Sequence, residues 1–282
     1  VRAIESAREA IRGGARAPLI VCPTGGGKTA VGVEICKGAI ARGHRVVWLA
    51  HRRELVEQAA ANLRRDGATG VAYIQAGHAP DPTQPIQVAS IQTLLARNRG
   101  AAKLMPPASV VVLDEAHHYV AAEYQEIARH YEHGIRVGLT ATPQRSDGTS
   151  LGNLFDHLIE VASIRELTAG GFLVPCNVVR PDAKQGSRTI AQDPVAAYRE
   201  YASSTQAIVF CADVDEAKTC AARFMSVGIS AACVDGKMSA AARERAIGAF
   251  KAGSIRVLTN CFVLTEGFYH PAVETCILAR GC

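Results

Sequence analysis

The stretch Leu19-Ile20-Val21-Cys22-Pro23-Thr24-Gly25-Gly26-Gly27-Lys28-Thr29 decides the fold. An apolar run without polar alternation reads as a strand buried on both faces, which belongs to a parallel sheet. It enters a Gly-rich turn, and Gly-Lys-Thr opens a helical stretch over Lys28–Ala41. Glycines there let backbone N–H groups wrap phosphates, Lys28 reaches the outer phosphates, and Thr29 can hold Mg²⁺. Pro23, Thr24, Gly25, Gly26, Gly27, Lys28 and Thr29 are therefore the candidate triphosphate-binding residues. Cys22 stands where the general pattern has Gly. The bland alternative is a Gly-rich turn with no ligand, but strand, loop, Gly-Lys-Thr and helix occurring together favour nucleotide binding.

Outward from this loop the same unit recurs. Arg45–Ala50 precedes a helix over Arg53–Arg65, and Val110–Asp114 precedes one over Ala122–Tyr131. The first half is an α/β domain. From about Gly170 the pattern loosens, and Arg180–Asp193 is polar, with Pro181, Gly186 and the following Pro194. Alternation resumes with Ala207–Phe210, a helix near Val214–Val227, Ala231–Val234, a helix near Ala240–Lys251, Ile255–Thr259 and Thr275–Leu278. The expected organisation is a first domain over residues 1–178, a linker over 179–193 and a second domain over 194–282. The second domain reads as incomplete, because a parallel sheet normally continues from such a strand into another covering helix.

Composition agrees with a folded cytoplasmic protein. The chain has 282 residues, 48% hydrophobic and 20% charged, with a mean hydropathy of +0.08, enough apolar surface to offset chain entropy. No run approaches the roughly 18–20 apolar residues of a bilayer span, and the N-terminus lacks signal-peptide features, which disfavours membrane and secreted classes. Nine cysteines are scattered without C-x-x-C or zinc spacing, as buried thiols of a reducing compartment would be. A net charge of +5 permits a polyanionic partner without proving one.

Val110–Leu113 leads into Asp114-Glu115-Ala116-His117. Two adjacent carboxylates thus stand at the C-terminal end of an apolar strand, where ligands of open α/β sheets collect. Beside a phosphate loop, Asp114 would hold Mg²⁺ and Glu115 would orient or deprotonate the attacking water. Without that loop, an acidic helix cap would be the better reading. His117 and His118 suggest a metal pair only superficially, since neighbours on a strand or turn are expected to point apart.

The first domain resembles the motor core of superfamily 2 helicases of the DEAD/DEAH-box group. Motif I corresponds to Pro23–Thr29, motif Ia to Ala50–Leu55, motif Ib to Ala89–Leu94, motif II to Asp114–His117 and motif III to Leu139–Pro143. Gln144–Gly148, Leu154–Asp156 and Gly171–Pro175 resemble a bacterial and phage branch related to DNA-repair helicases and restriction-enzyme motor subunits. In the second unit Ile208–Cys211 resembles motif IV, and Arg256–Phe268 resembles motif V. The resemblance implies two RecA-like domains in tandem and ATP with Mg²⁺ as ligands. It makes His51, Arg52, Gln92, Thr93 and Thr259 contacts to a nucleic-acid backbone, DNA ahead of RNA. It also makes His117, Thr140 and Thr142 links between the two sites, and Gly267 an ATP contact. Taken one at a time, Arg52 and Arg53 could be solvated helix-start residues and Ser90–Thr93 an ordinary helix cap, while Arg64 and Arg65 read as surface charge.

Three departures bear on turnover, the first being that the family's adenine-sensing Gln is expected upstream of Val1. Tyr269 stands where the family carries an acid, and motif VI with its arginine finger is expected beyond Cys282. Loss of such a finger removes roughly 10³–10⁵ in rate in phosphoryl transfer. The sequence therefore predicts an ATP-dependent helicase or translocase, with a hydrolysis-deficient ATP- and nucleic-acid-binding module as the alternative.

Overall fold

A computed structural model describes residues 2–98, 105–143, 151–179, 193–264, 268 and 270–279, apart from the side chains of Val120 and Glu123. The chain divides into two compact units, Val1–Pro175 and Cys176–Cys282. Most of the expected linker lies outside the described residues.

The first unit runs α1 (Arg2–Arg12), β1 (Pro18–Val21), α2 (Lys28–Ile40), β2 (Val46–Ala50), α3 (Arg53–Arg65), β3 (Val71–Ile74), β4 (Ile86–Ser90), α4 (Ile91–Asn98), β5 (Val110–Asp114), α5 (Ala122–His130), β6 (Ile135–Thr140), β7 (His157–Glu160) and α6 (Ile164–Ala169). Its strands form one parallel sheet in the order β3-β4-β2-β5-β6-β1-β7. Burial on both faces follows from alternation along β2. Val46, Trp48 and Ala50 enter one core layer with Val33 and Leu63, while Val47 and Leu49 enter the other with Leu94 and Tyr119. Gly32 on α2 makes this layer possible, because a Cβ there would lie 2.5 Å from the Trp48 ring. The strands β3, β4, β6 and β7 are additions to the sequence expectation.

The second unit contains α7 (Pro194–Tyr201), β8 (Gln206–Phe210), α8 (Val214–Ser226), β9 (Ala231–Val234), α9 (Ala240–Lys251), β10 (Val257–Asn260) and β11 (Val273–Leu278). Its parallel sheet has the order β11-β8-β10-β9. Val209 and Phe224 pack on one face, Leu258 and Phe250 on the other. The tandem parallel α/β architecture is thus the one the βα alternation anticipates. No helix among the described residues is long and apolar enough to cross a membrane.

Candidate functional site

The phosphate loop leaves β1 beside β6, where the Cys22 amide donates to the Thr140 carbonyl at 3.0 Å. The loop is then shaped from within. Cys22 is fully buried, its Sγ donates to the Gly26 carbonyl at 3.1 Å, and the Gly26 amide closes on the Pro23 carbonyl at 2.9 Å. A Cβ at Gly26 would sit 2.5 Å from that sulfur. Burial raises the Cys22 thiol above its ordinary range, against the pull of the Lys28 charge. Gly27, with φ +93°, is the left-handed residue preceding α2, a conformation only glycine adopts without steric cost. It turns the chain so that Lys28 becomes the first helical residue.

Strand order puts β5 two places from β1, with β6 between them, so the C-terminal end of β5 faces the same edge as the loop. Lys28 Nζ lies 3.6 Å from Glu115 Oε1, with side-chain exposures of 11% and 17%. Glu115 holds a left-handed backbone, φ 49° and ψ 58°. For a non-glycine residue this costs of order 1 kcal/mol or more and tends to mark functional positions. Asp114 is 6% exposed and receives the Glu115 amide at 3.0 Å. Desolvation, reinforced by the Glu115 charge, pushes its carboxyl up to about 6, while the Glu115 amide and Lys28 pull it down. A buried acid held this high gains from a cation that relieves its desolvation. Thr29 on the first turn of α2 and Asp114 at the end of β5 are suitable hard-oxygen ligands for Mg²⁺.

Past Glu115 the chain makes a single 3-10 turn, Ala116–Val120. Tyr119 pins it to the sheet, its buried hydroxyl donating to the Leu49 carbonyl of β2 at 3.0 Å. This turn overturns the expectation that His117 and His118 point apart. Their ring centroids lie 4.2 Å apart, and His118 lies 4.0 Å from the ring of His51. The tight winding of a 3-10 turn brings consecutive side chains closer in azimuth than a strand does. Among the described residues there is no group of three His, Cys, Asp or Glu placed to hold a metal. His117 Nδ1 is 3.2 Å from Thr140 Oγ1 and 3.6 Å from Glu115 Oε2. Thr140 Oγ1 in turn donates to the Thr142 carbonyl at 3.0 Å and accepts from the Thr142 amide at 3.2 Å. The three residues expected to link the sites therefore touch one another.

His51 and Arg52 follow β2, and Gln92 and Thr93 open α4 directly after β4, its neighbour in the sheet. Gln92 Nε2 donates to the His51 carbonyl at 2.6 Å and approaches the Tyr124 hydroxyl at 3.3 Å, while its Oε1 accepts from Ser90 Oγ at 3.0 Å. Thr259 behaves differently from its expectation. It is fully buried, and its hydroxyl donates to the Ala217 carbonyl of α8 at 2.7 Å, so its side chain braces a helix and does not face a strand. Arg64 is likewise more than surface charge: its guanidinium stacks 4.7 Å from the Tyr73 ring and donates to the Tyr73 hydroxyl and the Val71 carbonyl. Gly267 and Tyr269 lie outside the described residues. Sequence reasoning weighed His118 only as a metal ligand and missed Tyr119 and Tyr124, whose common signal is that they are polar-tipped rings in or beside motif II.

The signature of the type III restriction enzyme res subunit matches residues 1–145, more than half of the chain. The chain belongs to this family of superfamily 2 helicases. A helicase conserved C-terminal domain matches residues 192–281 of this res-type chain. A 51.5 kDa protein of a Lactococcus phage is 29% identical over 93% of the chain and 58% of its own length. A Schizosaccharomyces pombe protein assigned as a mitochondrial ATP-dependent helicase, irc3, is 25% identical over 93% of the chain and 48% of its own length. The chain thus spans about half the length of these relatives. Saccharomyces cerevisiae Dbp5 bound to RNA and ADP BeF3 shares the fold with a TM-score of 0.72 at 18% identity, over 98% of this chain and 73% of Dbp5.

Proposed function

We infer that this res-type chain is the ATP-driven motor of a nucleic-acid helicase or translocase, acting on DNA ahead of RNA. The observation that carries the reading is the Lys28–Glu115 pair at 3.6 Å beside buried Asp114. A triphosphate seated on the amides of Pro23–Thr29 offers Lys28 a stronger partner than a single carboxylate, which releases Glu115 to orient the attacking water and take its proton. Thr29 and Asp114 would hold Mg²⁺, which supplies charge neutralisation at the outer phosphates. His51, Arg52, Gln92 and Thr93 supply side chains and a helix start suited to phosphates and indifferent to bases, as a sequence-independent motor needs. Membership of a restriction-enzyme family supports DNA as the substrate. The phage relative and the free thiols support a cytoplasmic setting in a prokaryotic or phage-infected cell. In this reading residues 1–178 form the first motor domain and residues 194–282 belong to the second.

Phosphate release with and without single-stranded DNA or RNA tests the reading. DNA-stimulated turnover should fall by about 10²–10⁴-fold in Glu115→Gln, with nucleotide affinity retained. Undiminished turnover in that variant removes Glu115 from the chemistry. A wild-type chain that binds both ligands and never turns over is the hydrolysis-deficient module.

A further inference from the structure

The contacts past motif II continue beyond the residues assigned so far. From Glu115 the path runs through His117 at 3.6 Å, to His118 at 4.2 Å between rings, to His51 at 4.0 Å. The backbone carbonyl of His51 is then held by Gln92 at 2.6 Å. These groups stand at or just past the C-terminal ends of β5, β2 and β4, three consecutive strands of the sheet. One end of the path is the carboxylate that pairs with Lys28, and the other is the edge that offers His51, Arg52, Gln92 and Thr93. The geometry points to His118 as a positioning residue, whose ring transmits the state of Glu115 and His117 to His51 and so ties nucleotide occupancy to grip on the nucleic acid.

Several features make a ring contact, and not simple proximity, the carrier. The 3-10 turn bearing His118 is anchored independently of the histidines through Tyr119 and Leu49, so removing the His118 ring leaves the turn in place. Its ring lies 4.2 and 4.0 Å from those of its two neighbours, tilted 42° and 43°, so it is in contact with both at once. Glu115 sits in a strained left-handed conformation immediately before the turn, and a change of partner for its carboxylate alters the balance that holds this strain. Coupling of two sites requires an element whose arrangement both bias, and it is reciprocal in binding free energy.

The inference rests on the motor reading, and the test separates the two. In the full chain, Kd for a labelled single-stranded oligo-dT is measured with and without Mg²⁺ and a non-hydrolysable ATP analogue, and the ratio is the coupling factor, typically about 5–150-fold in coupled systems. His118→Ala should bring this ratio to within about twofold of unity while each ligand's Kd measured alone moves less than about twofold. His118→Phe, which keeps a flat ring, should restore most of the ratio. A coupling factor that survives His118→Ala overturns the inference and leaves the motor reading intact, as does a loss that His118→Phe fails to restore. A wild-type chain in which neither ligand alters the other's affinity overturns both.

Discussion

The two sheets finish their central strands in opposite ways. In the first unit the side chains at and past the ends of β1, β5 and β6 bond to one another. Lys28 pairs with Glu115, His117 meets Thr140, and Glu115 is held in strained backbone. In the second unit the corresponding polar ends are met mainly by backbone, apart from an ion pair of Asp235 with Lys218 at 3.7 Å. Thr259 and Asn260 are fully buried, donating to the carbonyls of Ala217 and Val209, and Asp235 accepts from the amides of Lys237 and Met238. A polar group held by its own main chain has little to exchange for a ligand, whereas an ion pair between side chains can trade one partner for a stronger one. Buried polar residues at strand ends are therefore a poor guide to binding until their partners are known.

Asp114 offers the strongest way to break this contrast. Its carboxyl is raised to about 6 from an ordinary 3.8, so the folded state binds the proton more tightly than the unfolded chain. Stability in the ligand-free chain falls as pH rises from about 4 to about 6 and stays reduced above that. Asp114→Asn removes the penalty and should raise unfolding free energy at pH 8 by about 2–3 kcal/mol, with little gain at pH 4. The same variant should lower Mg²⁺-nucleotide affinity by about 100-fold, since a structural acid and a ligand-binding acid differ in this trade. Denaturant melts at the two pH values measure the first effect and nucleotide titration the second. A loss of stability at pH 8 would place Asp114 among braced residues like Thr259.

Thr259 tests the other side. Thr259→Val removes the hydroxyl's bond to the Ala217 carbonyl, which keeps its helical N–H donor, and should cost about 0.5–1.5 kcal/mol by chemical denaturation, with Thr259→Ser recovering most of it. Affinity for single-stranded DNA per folded molecule should stay unchanged. If stability holds and strand binding drops, the side chain reorients toward the nucleic acid and the contrast between units dissolves. The smallest expected effect is at Arg53, whose i,i+4 pair with Glu57 at 2.8 Å is exposed. Arg53→Ala should shift the unfolding free energy by about 0.5 kcal/mol or less, and a larger change would bring it into the ordered edge beside Arg52.

Much of this architecture is legible from residue order. The runs before and after the phosphate loop, α3, β5, β9 and α9 fall where apolar periodicity puts them, because their strands are unbroken by polar residues. The strands that periodicity hides carry polar or small interruptions. Within β4, Gln87 is buried and spends its amide on the carbonyls of Asp81 and Gln84. Within β6, Gly138 leaves room for Phe155, whose ring a Cβ would meet at 2.4 Å. In the edge strand β7, exposed positions surround a single buried Ile159. The phosphate loop and the acids of motif II are local signals and are read directly. The stacking of His118 on His51 depends on the 3-10 turn and the Tyr119 anchor, and the inward turn of Thr259 depends on where α8 lies. Neither is encoded in a spacing, since each arises from contacts between residues far apart in the chain.

Cys22 carries one more consequence. Because its sulfur fills the crook beneath Gly26, the arch over Pro23–Thr29 is sprung during folding. If the loop takes the proposed triphosphate, part of the ordering of those residues is done before the ligand arrives. A bulky adduct on that sulfur would then push the turn at Gly26 outward without touching the backbone amides proposed to hold the anion.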